Sequence, residues 1–320
     1  MSTLTLLYII QRNLFRFGGP LLIAIGSISC ILNLLVFKKD TLRKNPCTIY
    51  FISVNIINFL YLYLGLLFTT LAAGYDIDPS SNNIIFCRFR YYIALVLACW
   101  ESSYLILASI DRILITSSNA RTRKCSTRRL AATSIISISL FWVLFHIHAL
   151  ILMEIFQIAP NYYVCFYQPG RYTTFMTYNS LVINGALPPL LMIIFGFWTV
   201  KNIRQVHRRR NHSNSTNTGT TTIGRPYALQ SKDQQIIRML LVNIITFVIC
   251  KCPVTIFYIY QQSTEHENKS AEQQIIEQSI LQMTYFVFFI ENSIGCYINI
   301  LVSKTFRIEL KRIISNVHHV

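Results

Sequence analysis

The sequence predicts an all-α membrane protein, a seven-transmembrane helix bundle with a short amphipathic cytoplasmic helix 8. Three observations carry this. The 320 residues are 53% apolar and only 13% charged, with a mean hydropathy of +0.44, a balance foreign to a soluble domain of ordinary composition. Seven apolar runs near the ~20 residues that cross a bilayer stand at about 18–38, 48–73, 88–111, 130–153, 177–201, 236–260 and 278–302. Finally, 22 of the 29 Lys and Arg residues fall in or beside the stretches after spans 1, 3, 5 and 7. Positive charge favours the cytoplasmic side, so the N-terminus is expected outside and the C-terminus inside. The net charge of +16 is then a topology signal. It gives no nucleic-acid partner, because the charges sit in short loops between apolar spans rather than on a soluble basic face.

Residues 1–17 read as the extracellular N-terminus, 18–302 as the bundle, and 303–320 as helix 8 with a short cytoplasmic tail. Neither a basic n-region nor a small-residue cleavage site occurs in 1–17, so span 1 is expected to serve as the insertion signal. Gly26, Ser27, Ser29 and Cys30 let span 1 approach its neighbours closely. Its one strongly polar side chain, Asn33, should face the bundle. Pro46 suits the start of span 2. There Asn55 and Asn58, three apart, share an inward face, for interhelical hydrogen bonds or for function.

Span 3 runs from Cys87 to Arg112 and rises about 37 Å as a helix, somewhat more than a ~30 Å hydrocarbon core. Glu101 and Arg112, eleven residues apart, point within roughly 20° of each other. Of the nine cysteines, only Cys87 and Cys165 lie at the oxidising face, which predicts a disulfide between them. Span 4 carries Trp142, His146 and His148. The histidines are about 200° apart on an α-helix, too divergent to share a metal. Pro188 and Pro189 should bend span 5, and Pro253, two residues after Lys251, should make a hinge in span 6.

The long loop, about 202–234, is rich in Ser, Thr, Asn and Arg. It reads as a solvated linker or, through the hydroxyl residues between Ser213 and Thr222, as a phosphate acceptor. The connection after span 6 holds Glu265, Glu267, Glu272 and Glu277, with Asn268 as the glycosylation candidate. Beyond span 7, apolar residues at 306, 310, 313 and 314 alternate with basic ones, the pattern of a helix lying on the inner membrane surface.

These landmarks, in order, resemble the rhodopsin-like (class A) G-protein-coupled receptors over nearly the whole chain: Asn33-x-x-Val36, Cys87, Asp111-Arg112, Trp142, Cys165, Pro188-Pro189, Phe247 with Cys250-x-x-Pro253, and Phe306-Arg307. The resemblance implies that Arg112 holds the inactive state by pairing with Asp233 and then meets the G protein. Ile113 replaces the usual tyrosine of the Asp-Arg motif. Other departures are larger. Leu32 replaces a glycine, Asn58 the sodium-binding aspartate, Lys251 the span 6 tryptophan, and Gly295-Cys296-Tyr297-Ile298-Asn299 the span 7 signature. Ala94 stands where amine receptors keep an aspartate, and Phe289 where retinal-binding pigments keep a lysine. Asp76, Asp78, the acidic outer loop and Tyr162-Tyr163 suit a peptide with basic residues.

Glu101, Lys251 and Glu291 lie inside spans, where each charge costs about 2.5–3.5 kcal/mol on insertion scales. Ideal helices separate Glu101 and Lys251 by roughly 10 Å along the bundle. Because side chains tilt toward their own helix N-terminus and spans 3 and 6 run oppositely, the two lean toward each other. By resemblance Asn58, Glu101, Glu291 and Asn292 line the sodium pocket, so Lys251 is read as an internal cation replacing sodium. The alternative is that each group is neutralised or reaches water. The chain is thus expected to be a plasma-membrane receptor without a cofactor, and not an enzyme. Its expected partners are an extracellular ligand (a peptide), a heterotrimeric G protein, the lipid bilayer and arrestin. The competing reading is a seven-helix transporter or channel that uses the buried Glu and Lys as a relay.

Overall fold

The computed structural model describes residues 3–43, 45–117, 119–159, 162–168, 170–215, 231–264 and 270–318. Among the described residues, seven helices are long and apolar enough to cross a membrane: α1 (Thr5–Phe37), α2 (Cys47–Tyr75), α3 (Ile84–Thr116), α4 (Arg128–Leu152), α5 (Arg171–Gln205), α6 (Gln234–Ser263) and α7 (Glu272–Val302). An eighth, α8 (Lys304–His318), follows directly. Between α4 and α5 the strands β1 (Met153–Ala159) and β2 (Tyr162–Tyr167) form an antiparallel hairpin with Ile155 opposite Cys165.

Local sequence sets the helix ends. The Asn83 carboxamide accepts from the amides of Ile85 and Phe86 to start α3. Thr127 does the same for α4, and Ser270 for α7. Proline explains two π-helical stretches. Leu14–Gly18 precedes Pro20, and Ser180–Ala186 precedes Pro188-Pro189. A ring without an N–H leaves the preceding carbonyls without helical donors, and a wider turn accommodates it. The expected perturbation of α5 therefore appears as a stretch of wide turns. Pro253 lies inside α6 without such a stretch.

Helix α1 begins well before residue 18, with helical backbone from Thr3. Gln11, Arg12 and Asn13 end the hydropathy run, yet they do not end the helix. Arg12 donates 2.7 Å to Asp76, and the Tyr75 hydroxyl donates 3.1 Å to the Arg16 carbonyl. Gly74 permits this approach, since a Cβ there would sit 2.9 Å from the Arg16 nitrogen. Helical backbone also runs to Ser215 after α5 and resumes at Ser231, narrowing the loop read at 202–234. Lys, Arg and Gln are good helix formers, so loss of hydropathy there does not mean loss of helix. The hydroxyl run to Thr222 lies outside the described residues from 216 on, as do the side chains of 213–215.

The main core runs between the helices from Phe15 to Leu310. Gly26 is a close-packing point: a Cβ would lie 2.5 Å from Leu62 and 3.1 Å from the Ser293 backbone. Phe306 of α8 is fully buried and meets Phe37 edge-on at 5.7 Å, so α8 is pinned to α1. Leu310 is buried and Ile314 half exposed, as its amphipathic pattern requires.

Candidate functional site

A cavity of about 1520 Å³ opens between α2, α3, α5, α6, α7 and strand β2. Its wall is aromatic, with Tyr61, Tyr91, Tyr167, Tyr258, Tyr285 and Phe288, and Lys251 lines its inner end. The Tyr258 and Tyr285 hydroxyls are hydrogen-bonded to each other. The roof is fixed by the Cys87–Cys165 disulfide, with Cα atoms 5.8 Å apart, which ties β2 to the top of α3. The Tyr91 hydroxyl and the Arg88 guanidinium add bonds to the carbonyls of Cys165 and Met153.

Below the cavity, the buried ionisable groups meet. Lys251 Nζ lies 3.1 Å from Glu101 Oε2 and 3.5 Å from Glu291 Oε2. Asn292 Nδ2 donates 2.8 Å to Glu101 Oε1. The Asn58 amide touches Asn292 Nδ2 at 3.1 Å, and turning its nitrogen toward Glu101 gives that carboxylate a second amide donor at 3.2 Å. The ammonium also sits 3.2 Å from the centre of the Phe288 ring. Charges removed from water need such partners: opposite charge, amide donors and an aromatic face. Three helices, α3, α6 and α7, are thereby joined by one ammonium shared between two carboxylates. Pro253 follows two residues later in α6.

At the far end of α3, Arg112 is fully buried. Its Nη2 donates 2.7 Å to Asp111 and 2.7 Å to Asn45. The side chain of Asp233, assigned to Arg112 by resemblance, lies outside the described residues, as does Asn268.

The family model for seven-transmembrane receptors of the rhodopsin family matches residues 29–295. The chain belongs to this family. No curated protein matches it. The family is one of non-enzymatic receptors, and membership makes this chain a multi-pass membrane receptor of the G-protein-coupled class.

Asn33, expected to face the bundle, does so in this receptor within an amide ladder separate from the ionic cluster. Asn33 Nδ2 donates 3.0 Å to Asn55, and Asn299 Nδ2 donates 3.1 Å to Asn33. Asn243 Nδ2 in turn donates 3.3 Å to Asn299, so α1, α2, α6 and α7 are linked. Asn243 and Asn299 escaped sequence reasoning, although the rule that an intramembrane amide turns inward applies to them equally. Asn45, the partner of Arg112, gave no signal beyond preceding Pro46.

Three of the acids proposed to meet a basic ligand are already engaged, while Glu272 is exposed. Asp76 pairs with Arg12 at 2.7 Å and Asp78 with Arg90 at 3.1 Å. Glu277 is buried and accepts from Tyr260 at 3.0 Å. Glu265 and Glu267 lie outside the described residues. The two histidines of α4 are not on opposite faces. His146–His148 is a 3₁₀ turn, and the rings meet edge-on at 5.6 Å. His146 faces Cys99 at 3.3 Å, while His148 meets the Tyr172 hydroxyl at 2.8 Å.

Proposed function

We propose that the receptor binds an extracellular peptide in the aromatic cavity and activates a heterotrimeric G protein by opening the cytoplasmic side of the bundle at Arg112. The observation that carries this reading is the Glu101–Lys251–Glu291 cluster at the inner end of the cavity. A ligand that reaches Lys251 alters the contact tying α6 to α3 and α7. Differential affinity for the two arrangements is all that is needed to shift the equilibrium between them. Pro253, just beyond Lys251, is the hinge on which α6 turns, and the wide turns before Pro188-Pro189 give α5 matching freedom. Lys251 acts as the internal cation in place of sodium.

Size supports a peptide, since about 1520 Å³ exceeds the ~300–1,000 Å³ usual for small-molecule sites. Strand β2 at the rim offers main-chain partners to an extended ligand. With Asp76 and Asp78 paired to arginines, a basic group on the peptide would meet the acidic connection after α6, where Glu272 is exposed. The receptor is placed in the plasma membrane with its N-terminus outside, carrying Asn268 as a glycosylation site. Asp111, Arg112 and Asp233 form the coupling site, and arrestin competes for the same opened cleft.

The test is nucleotide exchange on a purified G protein with the receptor in lipid discs, screened against a peptide library. Ligand-dependent acceleration of at least tenfold is expected. Ion flux across proteoliposomes without any G protein, combined with no acceleration, refutes the reading and supports a transporter or channel that uses the same three charges as a relay.

A further inference from the structure

In the connection between α3 and α4, Ser126 ends a short helix, Ala120–Cys125, none of whose residues is buried. Its hydroxyl donates to Asp111 Oδ1, while Oδ2 of the same carboxylate receives Arg112. One buried carboxylate therefore holds both the cytoplasmic connection and the coupling arginine. Ser126 and Thr127 are in extended conformation, with Arg121, Arg123 and Lys124 before them and Arg128 and Arg129 after. Lys124, Cys125, Thr127, Arg128 and Arg129 are exposed. An extended hydroxyl residue preceded by exposed cations is what an acidic kinase surface recognises by charge.

We propose that Ser126 is a phosphorylation site for a basic-directed protein kinase, and that its phosphate detaches the α3–α4 connection from Asp111. This rests on the cytoplasmic placement of the connection. In the transfer step Ser126 Oγ attacks the γ-phosphorus of ATP. The new O–P bond forms as the bond from that phosphorus to the β–γ bridging oxygen breaks. ADP leaves with the electron pair, and the hydroxyl proton passes to the kinase's base. The hydroxyl that donated to Asp111 becomes a phosphate ester carrying about −1.5 to −2 charge with acceptor oxygens only. A hydrogen bond is replaced by repulsion from a buried carboxylate, and the flanking arginines offer the phosphate charge-assisted partners away from α3.

The full-length protein in detergent is incubated with the catalytic subunit of cyclic-AMP-dependent protein kinase and Mg-ATP, and the phosphate is located by peptide mass mapping. Phosphate on Ser126 is expected, and Arg123→Ala with Lys124→Ala should slow its incorporation at least tenfold. Amide exchange over 120–126 should quicken at least tenfold on phosphorylation. Ser126→Asp should move it the same way, and Ser126→Ala less. Phosphate found only at Thr127 or between residues 213 and 222, or unchanged exchange in the phosphorylated protein, overturns the proposal. In detergent both faces are open to the kinase, so this arm does not depend on orientation. Mapping the protein from intact cells does: a Ser126 that accepts phosphate in detergent but never in cells refutes the cytoplasmic placement instead.

Discussion

Replacing Lys251 with methionine tests the buried cluster most directly. The side chain keeps an apolar stem out to Cε, but the ammonium between Glu101 and Glu291 is lost. At an effective dielectric of ~20, opposite charges 3.1 Å apart attract by about 5 kcal/mol. Desolvation offsets much of this in the intact pair, whereas removing one partner strands the other at a cost of about 3–5 kcal/mol. Lys251→Met should therefore destabilise by about 3–5 kcal/mol. Glu101→Gln alone strands less, because Lys251 retains Glu291 at 3.5 Å. In the double variant the new amide oxygen still accepts from Asn292, and only one acid remains, free to take a proton. The double loss should then fall short of the sum by at least ~1.4 kcal/mol. Apparent melting temperatures of the four proteins in one detergent give the comparison. Shifts that add to within about 0.5 kcal/mol, or a Lys251→Met protein that melts like wild type, refute the ionic account.

Three further outcomes follow from the geometry. If Lys251 fills the cation site, replacing sodium by choline at constant ionic strength leaves agonist affinity unchanged, and a several-fold shift contradicts it. Cys165→Ser frees the hairpin from α3 by opening a 78-residue separation, which should cost about 2–5 kcal/mol, read as a lower melting temperature and lost ligand binding. Gly26→Val forces carbon against the Ser293 backbone and should cost about 1–3 kcal/mol, with Gly26→Ala milder in the same melt.

The bundle was legible because hydropathy answers to a single physical requirement, that of the bilayer, and the Cys87–Cys165 disulfide because the other seven cysteines fall within spans or at the opposite ends of them. The Glu101–Lys251 pair was legible for a subtler reason. Antiparallel helices with side chains tilted toward their N-termini close a gap that backbone heights leave open. What stayed hidden depended on departures from ideal geometry or on distant partners. The 3₁₀ turn at His146 cancels the 100° step on which the histidine argument stood. The continuation of α1 above Gly18 is stabilised by Asp76, sixty-four residues from Arg12, which no local pattern reveals. Asp76 and Asp78 looked available only because their arginine partners, Arg12 and Arg90, come from other elements. The amide ladder was half legible, in Asn33 and Asn55, because its other members, Asn243 and Asn299, stand alone in apolar stretches of α6 and α7 and reveal no partner in sequence.

One contact between α6 and α8 has a mechanical meaning. Gln235 at the N-terminal end of α6 accepts 2.7 Å from the Thr305 amide and 3.2 Å from the Ser303 hydroxyl. Any outward swing of α6 must unfasten both, and at a net worth of about 0.5–1.5 kcal/mol each they act as a latch of about 1–3 kcal/mol. If α6 swings out in the proposed opening, that alone holds the open population of the unliganded protein down by roughly five- to 150-fold. The quietness of the resting state is thus set partly at the joint with α8, far from the ligand, and Gln235→Ala should make the receptor noisier without changing what it binds.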